Sequence, residues 1–358
     1  MALDNRDETF TGTKDVADAH KFDEAALIAY MEANVEGFEG PIKVHEFNGG
    51  QSNPTYKIET PGKSYVLRRK PPGTLLPSAH AVDREYKVIT ALGETDVPAP
   101  RTYAMCEDES VLGTIFYIMD CVDGRVLWDP TIPSVDKENR IAIYDSMNDA
   151  IAKLHNVDYK AVGLEDFGKP GNYFARQISR WSKQYKASET EQIPEMDALM
   201  EWLPETIPSD DTTTIVHGDY RLDNMIFHPT EPRVVAILDW ELCTLGHPVG
   251  DFSYHLMNWD TNEVLAGMSA DDYAAAGIPT KEQYAALYAE RTGFTQVTEN
   301  LDWYMSYNLF RIGGILQGIR GRLRDGTAAS DHADEMSSNV PGLAQQAWAL
   351  AKKLGAGS

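Results

Sequence analysis

The chain changes texture once, near Gly124, and that change limits the folds open to it. From Lys43 to Met119, short runs rich in β-branched and aromatic residues alternate with turn residues: Lys43–Phe47, Thr55–Glu59, Ser64–Lys70 and Thr114–Met119. One helical stretch interrupts them, Ser78–Leu92, with Ala81, Val82, Ile89 and Leu92 at roughly helical spacing. Val97-Pro98-Ala99-Pro100 marks a loop before the next strand pair. Beyond Gly124 the pattern is helical. Ile141, Tyr144, Met147, Ile151 and Leu154 make Asp136–Asn156 amphipathic, and helices are expected over Asn172–Lys186, Ile193–Leu203, Thr280–Thr292, Leu301–Arg322 and Asp331–Leu354. A β-rich island sits among them: Thr213–Val216, Met225–His228 and Val234–Leu238. The pattern predicts an α+β, bilobal chain. Residues 1–24 form a polar N-terminal extension, 25–120 an N-lobe of small antiparallel sheet with one helix, and 121–358 a larger, mainly helical C-lobe. Ligands favour the cleft that such a layout creates.

Charge narrows the partners. The formal net charge of −23 argues against nucleic acid, whose phosphates need clustered positive charge. It leaves a nucleotide open, since its phosphates are bound locally, and an excess of acid also serves solubility. No stretch approaches the roughly 20 apolar residues of a membrane-spanning helix. Met1–Lys21 is polar and acidic, unlike a signal peptide, and reads as a flexible leader or a docking arm. Cys106, Cys121 and Cys243 are far apart and odd in number, so neither a disulfide framework nor a zinc site is expected. A cytoplasmic location is the simplest expectation.

The chemistry concentrates in Val216-His217-Gly218-Asp219-Tyr220-Arg221-Leu222-Asp223-Asn224. Asp219 precedes Asn224 by five residues, the offset that lets one loop set a proton acceptor beside a hydroxyl and an amide ligand beside phosphates. An amide oxygen binds magnesium without adding another buried negative charge. Fifteen residues on, the apolar run Ala236-Ile237-Leu238 ends in Asp239, a carboxylate fixed at a strand end. Asp219 as base with Asn224 and Asp239 as magnesium ligands is a chemically coherent set.

Upstream, Phe47–Pro54 joins two strands, and Gly49, Gly50, Ser52 and Asn53 permit close backbone approach to the phosphates of ATP. In the next strand Val66, Arg68 and Lys70 share a face. Val66 suits an adenine wall and Arg68 the α- and β-phosphates, with Lys70 the competing cation just before Pro71-Pro72. Glu85, 17 residues after Arg68, is its natural helix partner. Phe116–Gly124 runs into the lobe boundary as a hinge, with Met119 walling the pocket and Asp120 and Val122 offering main-chain groups. His155 and Asp223 are expected to be structural. Asp251 is expected to cap a helix or brace the loop. Trp and Tyr residues within 301–310 are expected to include core positions.

These motifs resemble the aminoglycoside phosphotransferase-like family of small-molecule kinases. The likeness lies in Gly49–Tyr56, Tyr65–Leu76, Asp83-Arg84-Glu85, His217–Phe227 and Leu238–Pro248. Within that family the chain looks most similar to kinase domains fused to acyl-CoA dehydrogenases. The resemblance implies a protein-kinase-like fold, ATP and Mg2+ as cofactors, and phosphorylation of a small-molecule hydroxyl, in that branch the 4-hydroxyl of a hydroxyacyl-CoA. It implies a functional link to an acyl-CoA dehydrogenase, and it carries over Asp219 as catalytic base with Asn224 and Asp239 as metal ligands. Arg68 departs from the family, standing where a lysine is expected. The rival readings are an aminoglycoside or macrolide antibiotic kinase and a non-catalytic nucleotide-binding module. Arg320, Arg322 and Arg324 are candidate contacts for CoA.

Overall fold

The computed structural model describes residues 11–48, 53–71, 80–326 and 337–357. Its contacts resolve two compact units. The first takes the described residues up to Phe167, with His217–Thr244 and Ala274–Ile278; the second takes Gly168–Val216, Leu245–Tyr273 and the described residues from Pro279 onward.

The first unit is built on a six-stranded antiparallel sheet. Its strands are β1 (Thr13–Lys14), β2 (Lys43–Phe47), β3 (Thr55–Glu59), β4 (Ser64–Arg69), β5 (Thr102–Cys106) and β6 (Phe116–Asp120), in the order β1-β2-β3-β4-β6-β5. Alternation along β4 sends Tyr65 and Leu67 to one face and Val66 and Arg68 to the other. The first face forms the core, in which Tyr56, Ile58, Tyr65, Leu67, Phe116 and Ile118 pack on Leu27, Met31 and Val35. Leu27 and Met31 come from α1 (Glu24–Asn34), which the Asp23 side chain caps by accepting from the Ala25 and Ala26 amides.

Arg69 shares the core-facing side of β4 and is buried. Its Nε donates to Tyr56 Oη at 3.1 Å and its Nη2 to the His20 carbonyl at 2.7 Å. Glu46 accepts from the Ala17 amide at 3.1 Å and pairs with His20 at 3.0 Å. Residues 13–20 are thus a docked arm, tied to the sheet by one buried cation and one buried acid.

The other face of the sheet meets α2 (Val82–Leu92), whose buried stripe is Val82, Glu85, Val88, Ile89 and Leu92. This helix starts later than the pattern predicts; Ser78 lies outside the described residues. A carboxylate within an apolar stripe demands a cation, and the sheet supplies it. Two further strands, β7 (Met225–Phe227) and β8 (Val234–Ile237), form an antiparallel ribbon, and the Pro98 carbonyl accepts from the Ile237 amide at 2.8 Å. Helix α3 (Lys137–Asn156) seats both ribbon and loop: Ser146 Oγ accepts from the Val234 amide at 2.9 Å, and Tyr220 Oη donates to the Met147 carbonyl at 2.8 Å. Gly124 packs so closely on Phe227 and Ile226 that a Cβ there would overlap both.

The second unit is helical: α4 (Tyr173–Ser188), α5 (Pro194–Glu205), α6 (Pro248–Leu256), α7 (Lys281–Thr292), α8 (Leu301–Arg324) and α9 (Val340–Lys353). Part of the predicted Asp331–Leu354 helix lies outside the described residues. Helix α8 packs on α4, α6 and α9, with Phe174, Trp303, Tyr304 and Tyr307 in mutual ring contact. These rings are buried, so they are core positions. The β-rich island of the sequence proves to be two ribbons, since Thr214–Val216 pairs with Thr244–Gly246 instead of joining β7 and β8. Among the described residues, no helix is long and apolar enough to cross a membrane.

Candidate active site

Arg68, Glu85, Asp219, Asn224 and Asp239 all fall in the first unit. Register explains the upper part of the site. Arg68 lies opposite Tyr117 and Val66 opposite Met119, so one face of β4 and β6 carries a cation, a phenol and two apolar side chains. Arg68 Nε lies 2.8 Å from Glu85 Oε2, and Arg68 Nη2 donates to Asp239 Oδ1 at 3.0 Å. Tyr117 Oη donates to Glu85 Oε2 at 3.1 Å and Asn53 Nδ2 to Glu85 Oε1 at 3.0 Å. Burial pushes the Glu85 carboxyl upward, while the Arg68 charge and the Tyr117 hydroxyl beside it pull the other way. Burial works against charge on Arg68 too, yet Glu85, Tyr117, Asp239 and Glu241 hold its pKa above the ordinary value. The result is a buried clamp with one open end, at Asp239. Lys70, the competing cation, points elsewhere, 3.8 Å from Asp83.

The loop from His217 to Asn224 is shaped by its main chain. Gly218 has φ +87°, and a Cβ on it would sit 2.8 Å from the Leu242 carbonyl, so this position needs glycine. His217 is buried; its Nδ1 accepts from the Asp219 amide at 3.3 Å, which leaves Nε2–H to donate to the Leu238 carbonyl at 2.8 Å. One imidazole therefore ties the loop to the strand end before Asp239. Asn224 Nδ2 donates to the Asp219 carbonyl at 2.9 Å and to Asp219 Oδ2 at 3.1 Å. Those bonds fix the amide, turning Asn224 Oδ1 away from the base.

Asp239 follows β8 and leaves strand geometry, with φ 62° and ψ 61°, a left-handed conformation uncommon outside glycine. Its carboxylate caps no backbone amide of the following turn, Trp240–Leu242, and is 43% exposed. The Leu238 amide donates to the Asn224 carbonyl at 2.8 Å, which brings the two metal candidates to adjoining strand ends. An exposed carboxylate and an outward amide oxygen fit a hard, oxygen-seeking divalent cation such as magnesium. Among the described residues no cluster of three His, Cys, Asp or Glu side chains offers an alternative metal site.

The remaining candidates fall as follows. Gly49, Gly50 and Ser52 lie outside the described residues. Asn53 is fully buried, with Oδ1 3.1 Å from His80 Nδ1, and acts as a brace for Glu85. At the end of β6, the Asp120 amide donates to the Arg101 carbonyl at 2.8 Å and its carboxylate pairs with Lys63 at 3.0 Å. Val122 lies between Asp120 and Gly124, outside any regular element. His155 is buried in α3, in keeping with a structural role. Asp251 is no N-cap: α6 starts after His247, and Asp251 sits buried within the helix. Arg320 is paired with Glu191 at 2.6 Å and Arg324 with Asp325 at 2.9 Å, both partly exposed surface pairs in the second unit. Sequence reasoning missed Tyr117, whose facing of Arg68 depends on strand register, and Arg221, whose Nε lies 3.3 Å from Asp219 Oδ1.

Comparison with known proteins identifies the family and the fold. The model of the phosphotransferase enzyme family matches residues 43–287. Mouse acyl-CoA dehydrogenase family member 10 is 43% identical over 88% of this chain, which spans 30% of that protein's length. Other curated relatives of the same naming are matched over 45% of their length. A candidate aminoglycoside phosphotransferase of Ralstonia eutropha, solved by crystallography, is 53% identical with a TM-score of 0.84, covering 93% of this chain and 99% of its own. The fold is shared by aminoglycoside phosphotransferase APH(4)-Ia in complex with AMP-PNP and hygromycin B, at 16% identity and a TM-score of 0.59 over 94% of this chain and 99% of its own.

Proposed function

We propose, because this chain belongs to the phosphotransferase enzyme family, that it transfers the γ-phosphoryl group of ATP to the hydroxyl of a small molecule, and that the acceptor is a hydroxyacyl-CoA. The observation that carries the reaction type is the triad of Asp219, Asn224 and Asp239, held together by the Asn224 amide and the paired strand ends. Asp219 orients the acceptor hydroxyl and takes its proton as the oxygen attacks phosphorus in line. Asn224 Oδ1 and the Asp239 carboxylate hold magnesium, which supplies charge compensation to the phosphate oxygens when bound. Arg68, fixed by Glu85, meets the α- and β-phosphates; in doing so Nη2 exchanges Asp239 for phosphate. Val66 and Met119 face adenine, and the Asp120 carbonyl and Val122 amide meet its edge.

The acyl-CoA reading rests on the names of relatives of which the matched segment is 30–45%, and it carries with it a partnership with an acyl-CoA dehydrogenase in the cytoplasm. The name of the Ralstonia relative favours a second reading, an aminoglycoside kinase. Magnesium-dependent ATP turnover measured over hydroxyacyl-CoAs, aminoglycosides, macrolides and simple alcohols separates them. Turnover on hydroxyacyl-CoA alone supports the first reading, turnover on an antibiotic the second, and no turnover on any acceptor contradicts both.

A further inference from the structure

His80 has no part in the chemistry set out above, yet it stands at the outer end of the clamp. Its backbone is left-handed, with φ 58°, a conformation that carries a cost outside glycine and that His, Asn and Asp adopt more often than other side chains. Asn53 is fully buried between two partners: its Nδ2 donates to Glu85 Oε1 at 3.0 Å, and its Oδ1 lies 3.1 Å from His80 Nδ1. An amide oxygen only accepts, so the His80 ring carries its proton on Nδ1 and donates. Glu85 Oε2 in turn pairs with Arg68, and Arg68 Nη2 donates to Asp239. A continuous polar chain thus runs from His80 through Asn53, Glu85 and Arg68 to a metal candidate. Helix α2 starts after Ala81, which offers no side-chain cap. The turn that bears Glu85 is held instead by side-chain ties such as these and Arg84 Nη2 on the Phe167 carbonyl at 2.7 Å.

We propose that His80 is a positioning residue for the nucleotide: it fixes the sense of the Asn53 amide, and through it the Glu85 carboxyl that steadies Arg68 for the phosphates. The inference rests on the phosphotransfer reading and adds a residue to its nucleotide side. The two ends of a side-chain amide have almost the same shape, so packing alone does not choose between them. Hydrogen bonding does. A donor at His80 holds Asn53 Oδ1 and leaves Nδ2 for Glu85. Without that donor a buried carbonyl oxygen loses its partner, and turning the amide round would set oxygen against oxygen at Glu85. The guanidinium of Arg68, less firmly held by Glu85, then leans on Asp239, the carboxylate from which the nucleotide has to draw it.

The test measures binding of AMP-PNP with magnesium by calorimetry, and the midpoint of denaturant unfolding, in the wild type, H80N, H80D, H80A and H80G. Asparagine carries an N–H donor at the δ position, where histidine carries Nδ1, and aspartate carries an oxygen there; both tolerate the left-handed backbone. H80N should therefore bind within about twofold of the wild type. H80A and H80G should each bind about five- to tenfold more weakly. Of these two, H80G should unfold at the higher denaturant concentration, because it adds no Cβ at φ 58°. H80D should bind most weakly, since it sets an acceptor against Asn53 Oδ1. If H80D does not fold, the other three variants decide. A loss in H80N as large as in H80A, affinities that rise and fall with the unfolding midpoints, or H80A binding as the wild type does overturns the assignment while leaving phosphotransfer intact. A folded wild type that binds no AMP-PNP takes down the phosphotransfer reading itself.

Discussion

The clamp around Arg68 and the loop that carries Asp219 are assembled from the same materials, an arginine, carboxylates and an amide, but they are held in different ways. In the clamp, side chains hold side chains: Glu85 is 2% exposed, pairs with the Arg68 charge at 2.8 Å and accepts from Tyr117 and Asn53. In the loop, main chain does most of the holding, through the left-handed Gly218, the His217 ring on the Leu238 carbonyl and the Asn224 amide on the Asp219 carbonyl. The difference divides stability from chemistry. A buried ion pair fixes a cation rigidly and is costly to break. A loop tied largely through main-chain groups puts less of the fold's stability on the Asp219 carboxylate, whose Oδ2 accepts from Asn224 and whose Oδ1 lies 3.3 Å from Arg221.

Substitutions that separate the two costs probe this division. Asp239→Ala should lower phosphoryl transfer on the order of 10³-fold, since a metal ligand supplies several kcal/mol in the transition state. The same change should cost about 1 kcal/mol or less in a denaturant titration, because its pair with Arg68 is half exposed. Glu85→Ala should do the reverse, costing about 3–5 kcal/mol of stability by leaving a buried guanidinium without its main counter-ion. A paired Arg68→Met and Glu85→Leu variant should regain most of that stability and stay inactive. Gly218→Ala should cost about 1–3 kcal/mol, since φ +87° and the Leu242 carbonyl both oppose a Cβ. Tyr117→Phe should cost about 1 kcal/mol, as Glu85 keeps the Asn53 amide and the Arg68 charge. If Glu85→Ala unfolds no more readily than Asp239→Ala, the contrast between clamp and loop is wrong.

What could be read in advance divides along the same line. Asp219, Asn224 and Asp239 lie within 21 residues, and their offsets follow from the reach of one loop and one strand. Arg68 was legible through strand alternation, and Glu85 as an acid on the expected helix 17 residues after it. Long-range features were not. Helix α1 shows only Leu27 and Met31 as a buried stripe, so its one local sign was the cap at Asp23. Arg69 reads as part of a basic strand end, although it is buried against Tyr56 and holds the arm through His20, 49 residues away. Asn53 sits in a turn-like stretch, and its burial against Glu85 depends on α2. The pairing of Thr214–Val216 with Thr244–Gly246, which divides the β-rich island, joins strands some 30 residues apart. Such contacts are set by packing, which periodicity does not encode.

The most direct test of the account is transfer of labelled γ-phosphoryl from ATP to an alcohol acceptor by the wild type and Asp219→Ala in parallel, with nucleotide binding measured in both. The account predicts a folded variant that binds ATP as the wild type does and transfers phosphate about 10²–10⁴-fold more slowly. Full transfer by Asp219→Ala to the same acceptor would contradict it.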